Sequence, residues 1–195
     1  ALLYAEHNPE KVLPLLLRGV FLCRKNDIQW FYQYGASEIY PNYWENYISI
    51  VEPSKRDDIL SAYHNMIFSD DKNLSLRACK EWSLWEGRSS CLIPSEVVIN
   101  SFDECSISLA KIESHYFINN CFIEENQIIN NIHKILDIPC TIVHGQFDVV
   151  CPIRQAYDLN QAYPKSNLII APDSGHSLLE PSISKEILKK LNDIN

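Results

Sequence analysis

Two short segments near the C-terminus hold residues whose types and spacing could do hydrolytic chemistry. Gly145-Gln146-Phe147-Asp148 closes one apolar run, and Asp173-Ser174-Gly175-His176-Ser177 closes the next. An acid and a histidine, each at the carboxyl end of a predicted strand, are two members of a nucleophilic triad. The histidine takes the nucleophile's proton, and the acid fixes the histidine's tautomer and steadies the imidazolium. Acid before histidine is also the order expected when a serine comes earliest in the chain. No Gly-x-Ser-x-Gly occurs, and Ala1-Leu2-Leu3-Tyr4-Ala5-Glu6 reads as the helix that follows such a turn. The nucleophile is therefore expected upstream of Ala1, and the chain alone is expected to be inactive. Taken singly, Asp148 reads equally as a turn aspartate and His176 as a surface histidine; their matching placement after successive strands joins them. His144, inside a buried strand, and His115, within a helical segment, read as structural.

The elements that must position the pair follow α/β grammar. Val12 to Leu17 is an apolar run suited to a strand buried on both faces, with Pro14 against it. After Asp137-Ile138-Pro139 the pattern predicts a strand over 140–144, a helix over 152–163, a strand over 167–171 and a helix over 182–192. Groups that do chemistry on such sheets gather at the carboxyl ends of strands. Between these segments, helical periods rich in aromatics predict helices over 41–48, 54–68, 73–85, 106–117 and 125–136, with Ser54 and Asp71 placed as N-caps. The expected organisation is a parallel-sheet core from 1–20 and 137–195, interrupted by an all-helical insertion over 21–136. Such a first strand should expose an edge that upstream strands would cover.

Composition narrows the function classes. The chain has 195 residues, 46% hydrophobic, enough to bury a core, and a formal net charge of -8 with no basic stripe, which argues against nucleic acid as a partner. Seven widely spaced cysteines without C-x-x-C pairs read as reduced thiols of a cytoplasmic protein. No apolar run is long enough to span a bilayer, so no membrane partner is expected.

Several motifs, in order along nearly the whole chain, resemble proline iminopeptidase (prolyl aminopeptidase). They include Arg18-Gly19-Val20-Phe21-Leu22, Trp30-Phe31-Tyr32-Gln33, Trp82-Ser83-Leu84-Trp85-Glu86-Gly87, Ile112-Glu113-Ser114-His115-Tyr116-Phe117, Gly145-Gln146-Phe147-Asp148-Val149-Val150-Cys151-Pro152 and Gly175-His176-Ser177. The resemblance implies a partial α/β-hydrolase fold with an inserted helical cap. It also implies a serine peptidase that removes N-terminal proline from peptides, without metal or cofactor. By that resemblance Asp148 and His176 match the acid and base. Glu86 and Glu113 match cap carboxylates that hold the substrate's free amino end, and Phe21, Phe31, Phe117 and Cys151 match positions lining the proline pocket.

Each assignment has a plainer competitor. Glu86, just before Gly87, reads as a solvated helix-end glutamate, Glu113 as half of a structural ion pair, and the three phenylalanines as core. Cys151, near a helix start that could lower its pKa, reads as a substrate contact rather than a nucleophile. Glu124-Glu125 reads as a helix start. The whole chain could instead be a non-catalytic binding or structural fragment, or an α/β-hydrolase acting on an ester or epoxide. Association with a second copy, or with the missing N-terminal part, would cover the exposed edge.

Overall fold

The computed structural model describes residues 1–194. In chain order the elements are α1 (Leu2–His7), β1 (Leu15–Arg18), α2 (Lys25–Tyr32), α3 (Ala36–Ile39), α4 (Pro41–Ser49), α5 (Ile59–Ile67), α6 (Lys72–Ser89), α7 (Glu96–Glu104), α8 (Ser106–Ile118), α9 (Gln127–Asn131), β2 (Cys140–Gly145), α10 (Ile153–Ala162), β3 (Ser166–Ala171) and α11 (Pro181–Ile194). The chain divides into two compact units, one of Ala1–Leu22 with Asn126–Asn195 and one of Cys23–Glu125.

The first unit is built on a three-stranded parallel sheet in the order β1-β2-β3. Leu15 to Arg18 pair with Cys140 to Val143, and Cys140 to Gly145 pair with Ser166 to Ala171. Strand β1 starts later than the apolar run that predicts it. Pro14 has no N–H to give a ladder, Leu13 is 80% exposed, and pairing begins only at Leu15. The central strand is the most deeply buried, with Ile142, Val143 and His144 fully excluded from solvent. Val143, Ala171 and Ile183 of α11 form a core cluster with Leu16, Ile169 and Ile187 against it. Tyr163, also fully buried, ends α10 and donates its hydroxyl to the Ile135 carbonyl at 2.7 Å, tying the segment before β2 to the helix after it. The helix expected over 125–136 is shorter: Asn126 sits in the left-handed region at φ 61°, α9 spans five residues, and a 3-10 turn follows over Ile132–Ile135.

Glu6 is an unusual member of this unit. Its side chain is 4% exposed, and neither carboxylate oxygen has a hydrogen-bond partner among the described residues. Burial pushes its pKa up to about 7, against the opposing pull of Lys134 and His7. Because the folded pKa lies above the unfolded one, its contribution to stability is complete below about 4.5 and is lost as pH rises through about 7. Glu6→Gln is accordingly expected to leave stability nearly unchanged at pH 5. At pH 8 it should add on the order of 1–2 kcal/mol, read from urea unfolding at the two pH values. Equal effects at both would show that the carboxyl is not held neutral.

The second unit is helical. Asp71 caps α6, its Oδ1 accepting the N–H of Asn73 at 2.9 Å and of Leu74 at 3.2 Å. Ser54 does not act as a cap. Pro53 opens a 3-10 turn over Pro53–Asp58, and Asp58 caps α5 by accepting the Ser61 N–H at 3.0 Å. Helix α6 runs past Gly87 instead of ending there. A Cβ at Gly87 would lie 3.2 Å from Phe102 Cβ and 3.3 Å from Ile99 Cα, so the glycine admits α7 at close range. The core is a packed aromatic set: Tyr32 stacks on Trp82 at 4.3 Å, Tyr47 on Tyr63 at 4.3 Å, and Phe31 lies 5.2 Å from Trp85. Glu125 accepts the Lys25 N–H at 3.1 Å, so it supports the start of α2 rather than of its own helix.

Candidate active site

Strands β2 and β3 end side by side, and the loops that follow them are knitted by backbone bonds. Gln146 N–H donates to the Ala171 carbonyl at 2.9 Å and Phe147 N–H to the Ser174 carbonyl at 3.0 Å. These bonds carry Asp148 and His176 to one rim of the sheet, where His176 Nδ1 lies 2.8 Å from Asp148 Oδ2. A carboxylate only accepts, so Nδ1 carries the proton, and in the neutral ring Nε2 is the nitrogen with the free lone pair. The other carboxylate oxygen, Oδ1, accepts the Cys151 N–H at 2.8 Å. Asp148 is 5% exposed while His176 is only part-buried. A buried acid orienting an imidazole with a basic nitrogen left over is the arrangement that general-base catalysis requires.

Further side chains shape this rim, and the sequence reading did not single them out for it. Arg18 Nη1 donates to the His176 carbonyl. A Cβ at Gly19 would fall 2.8 Å from His176 Cε1, and its φ of +54° is left-handed, so only glycine fits beside the ring. Glu180 Oε2 accepts the Gly175 N–H at 2.9 Å, pinning the histidine loop. His144 Nε2 lies 2.8 Å from the Cys151 carbonyl oxygen and 3.3 Å from Asp148 Oδ2. The Arg18-Gly19 pair entered the sequence reading only as the start of one of the motifs that carry the resemblance, and nothing in its composition marks it as a neighbour of a residue so far along the chain.

Three serines that the search for a nucleophile brings up, Ser89, Ser90 and Ser174, are otherwise engaged. Ser89 and Ser90 hydroxyls donate to the carbonyls of Trp85 and Glu86 four residues back, at 2.7 and 2.8 Å. Ser174 is buried, with its hydroxyl directed at Asp173. Among the described residues no group of three His, Cys, Asp or Glu side chains could hold a metal ion, and no helix is long and apolar enough to cross a membrane. None of the seven cysteines is in a disulfide.

In the helical unit, Glu86 is 5% exposed and lies inside α6, which removes the reading of it as a solvated helix end. Its Oε1 accepts the Tyr32 hydroxyl, and Trp82 Nε1 donates to Glu113 Oε2 at 3.0 Å. The two carboxyls are hydrogen-bonded to each other. Burial, and then the neighbouring Glu113, push the Glu86 pKa well above the carboxylate range. Phe31 is buried against Tyr32 and Trp85, and half-buried Phe117 lies 5.3 Å from Tyr32 and 6.3 Å from Trp82. Phe117 and Tyr32 also line a cavity of about 340 Å³ with Lys25, Ile28, Gln29 and Asn120. Phe21 is half-buried and belongs to the sheet unit, as does Cys151, which is 7% exposed. His115 is exposed, its ring against Tyr116 and Phe122.

Sequence comparison places this geometry among named relatives. The chain is 44% identical over 184 residues to a proline iminopeptidase of Xylella fastidiosa, a match covering 93% of the chain and 59% of the relative. Its sequence relatives are proline iminopeptidases. A probable proline iminopeptidase of Leptolyngbya boryana is 44% identical over 191 residues, 96% of the chain and 60% of the relative. That of Arabidopsis thaliana is 40% identical over 192 residues, 96% and 50%. The chain thus spans about three fifths of the length of the bacterial proline iminopeptidases that it matches. No family model matches it. A crystal structure of a candidate lipase from Acinetobacter baumannii aligns over 100% of the chain and 57% of its own length, with a TM-score of 0.56 at 12% identity. At that identity the likeness concerns fold alone, and the fold is a partial α/β-hydrolase.

Proposed function

We propose that this chain is the acid- and base-bearing part of a proline iminopeptidase, a serine exopeptidase that hydrolyses the bond after an N-terminal proline. The observation that carries the reading is the hydrogen bond from His176 Nδ1 to buried Asp148 Oδ2, in a chain whose relatives are named for that activity. His176 Nε2 removes the proton from a serine hydroxyl as it attacks the prolyl carbonyl, then returns it to the departing amine. The same nitrogen next activates the water that releases proline from the acyl-enzyme. Asp148 holds Nδ1–H in place and stabilises the imidazolium formed in each step. The serine lies outside this chain, which fits the engaged state of Ser89, Ser90 and Ser174.

The helical unit, residues 23–125, serves as the cap, and Glu86 with Glu113 binds the substrate's amino end. An arriving ammonium favours the ionised form of this buried pair, which selects free chain ends over internal amides. Within this unit Phe31 and Phe117 offer apolar surface suited to the proline ring; Phe21 and Cys151 of the sheet unit keep that role by resemblance. The reaction uses no metal or cofactor, and seven cysteines outside any disulfide suit the reducing cytoplasm.

Hydrolysis of a chromogenic prolyl amide tests the reading. The protein expressed from its full reading frame should turn the amide over and leave its N-acetylated form intact, while residues 1–195 alone should do neither. Turnover by the isolated chain would refute the external nucleophile. Ester hydrolysis without prolyl amide hydrolysis would refute the substrate.

A further inference from the structure

The proposed mechanism uses one imidazole and leaves a second, more deeply buried one unexplained. His144 is fully excluded from solvent and stands near the end of β2, next to Gly145. Its Nδ1 accepts the N–H of Val20 at 3.3 Å. An imidazole nitrogen that accepts carries no proton, so in the neutral ring Nε2 is the N–H. That N–H points to the Cys151 carbonyl oxygen at 2.8 Å and lies 3.3 Å from Asp148 Oδ2, the same oxygen that receives His176. Burial holds the His144 pKa below the ordinary histidine value and outweighs Asp148, so the ring stays neutral even beside a carboxylate.

The arrangement is a stitch between two loops. On one side is Val20, the residue after Gly19, whose backbone sits against the His176 ring. On the other is Cys151, held at both backbone groups: its N–H by Asp148 and its carbonyl by His144. Releasing the carbonyl frees the segment that orients Oδ1 of the acid, and it removes a partial positive charge 3.3 Å from Oδ2. We propose that His144, as the neutral Nε2–H tautomer, is a positioning residue that fixes the Asp148 carboxylate and through it the His176 ring. The role rests on the reading of Asp148 and His176 as the catalytic pair.

The test uses ¹⁵N-labelled protein from the full reading frame. Long-range proton–nitrogen NMR should find His144 protonated at Nε2 and not at Nδ1, and a downfield proton should report the His176 Nδ1–H bond to Asp148. Two substitutions separate the halves of the stitch. In His144→Gln the amide nitrogen reaches the place of Nε2 and keeps a donor; in His144→Asn the amide oxygen takes the place of Nδ1 and the donor is lost. The Gln variant should retain the downfield proton and a kcat within about tenfold of the parent, whereas the Asn variant should lose the proton and ~10²-fold in kcat with KM unchanged. A His144 protonated at Nδ1 overturns the proposal. So does a folded Asn variant with the parent's downfield signal and kcat. If the Asn variant does not fold, the tautomer in the parent protein decides. Loss of the downfield proton in the Asn variant of a protein that never hydrolyses prolyl amides defeats the substrate assignment and supports the positioning role.

Discussion

Asp148→Asn is expected to lower kcat for a prolyl amide by ~10⁴-fold while leaving KM nearly unchanged, in protein made from the full reading frame. The direction follows from which oxygen is committed. Oδ1 accepts the Cys151 N–H at 2.8 Å, so an asparagine keeps its carbonyl oxygen there and turns its NH2 toward His176 Nδ1. Nδ1 must then accept, the proton moves to Nε2, and the nitrogen meant to act as base is already protonated. His144 Nε2–H, 3.3 Å from Oδ2, opposes the new NH2 as well, donor against donor. Steady-state kinetics, with a circular dichroism spectrum to establish folding, reads the effect. A folded variant within tenfold of the parent kcat would remove Asp148 from the mechanism.

Glu86→Gln is expected to move activity and stability in opposite directions. Losing one buried acceptor for the substrate ammonium should reduce kcat/KM by ~10²–10³-fold, the range for truncating one side of a buried charged pair. Stability responds through the raised pKa of Glu86, caused first by burial and then by Glu113. A folded-state pKa above the unfolded one stabilises fully below the unfolded value near 4.5, and that contribution disappears as pH rises through the folded value. The glutamine does not ionise, so the variant should gain on the parent as pH increases, visible as a growing difference in urea midpoint between pH 5 and pH 9. A variant that is both less active and less stable at pH 9 would mark Glu86 as a structural partner of Tyr32, not a ligand group.

Much of the sheet and of the meeting of Asp148 with His176 was legible because the signals were local. The apolar runs before Gly145 and Ala171 have the length of buried strands, and each ends in residues that break a ladder, so Asp148 and His176 fall just beyond parallel strand ends. The rest depended on contacts that no window of sequence carries. Helix α2 was missed because its first residues, Lys25, Asn26 and Asp27, look like loop; the Asp27 carboxylate starts it, its Oδ2 accepting the Arg24 N–H at 3.1 Å and the Arg24 Nε–H at 2.9 Å. Glu86 looked like a helix end because glycine after a helical period usually stops one. Here Gly87 instead makes room for α7, and the helix continues. The nearness of Arg18, Gly19 and Val20 to residues beyond position 140 is set by strand pairing, which spacing along the chain does not encode.

The acid's surroundings also carry an evolutionary consequence. Asp148 and His144 hold residue 151 by its amide and carbonyl, and His144 holds residue 20 by its amide, so neither tether consults the side chain at those places. Substitution at 20 or 151 is therefore limited by the packing around two buried side chains and not by these hydrogen bonds, which any residue with a backbone amide and carbonyl can keep.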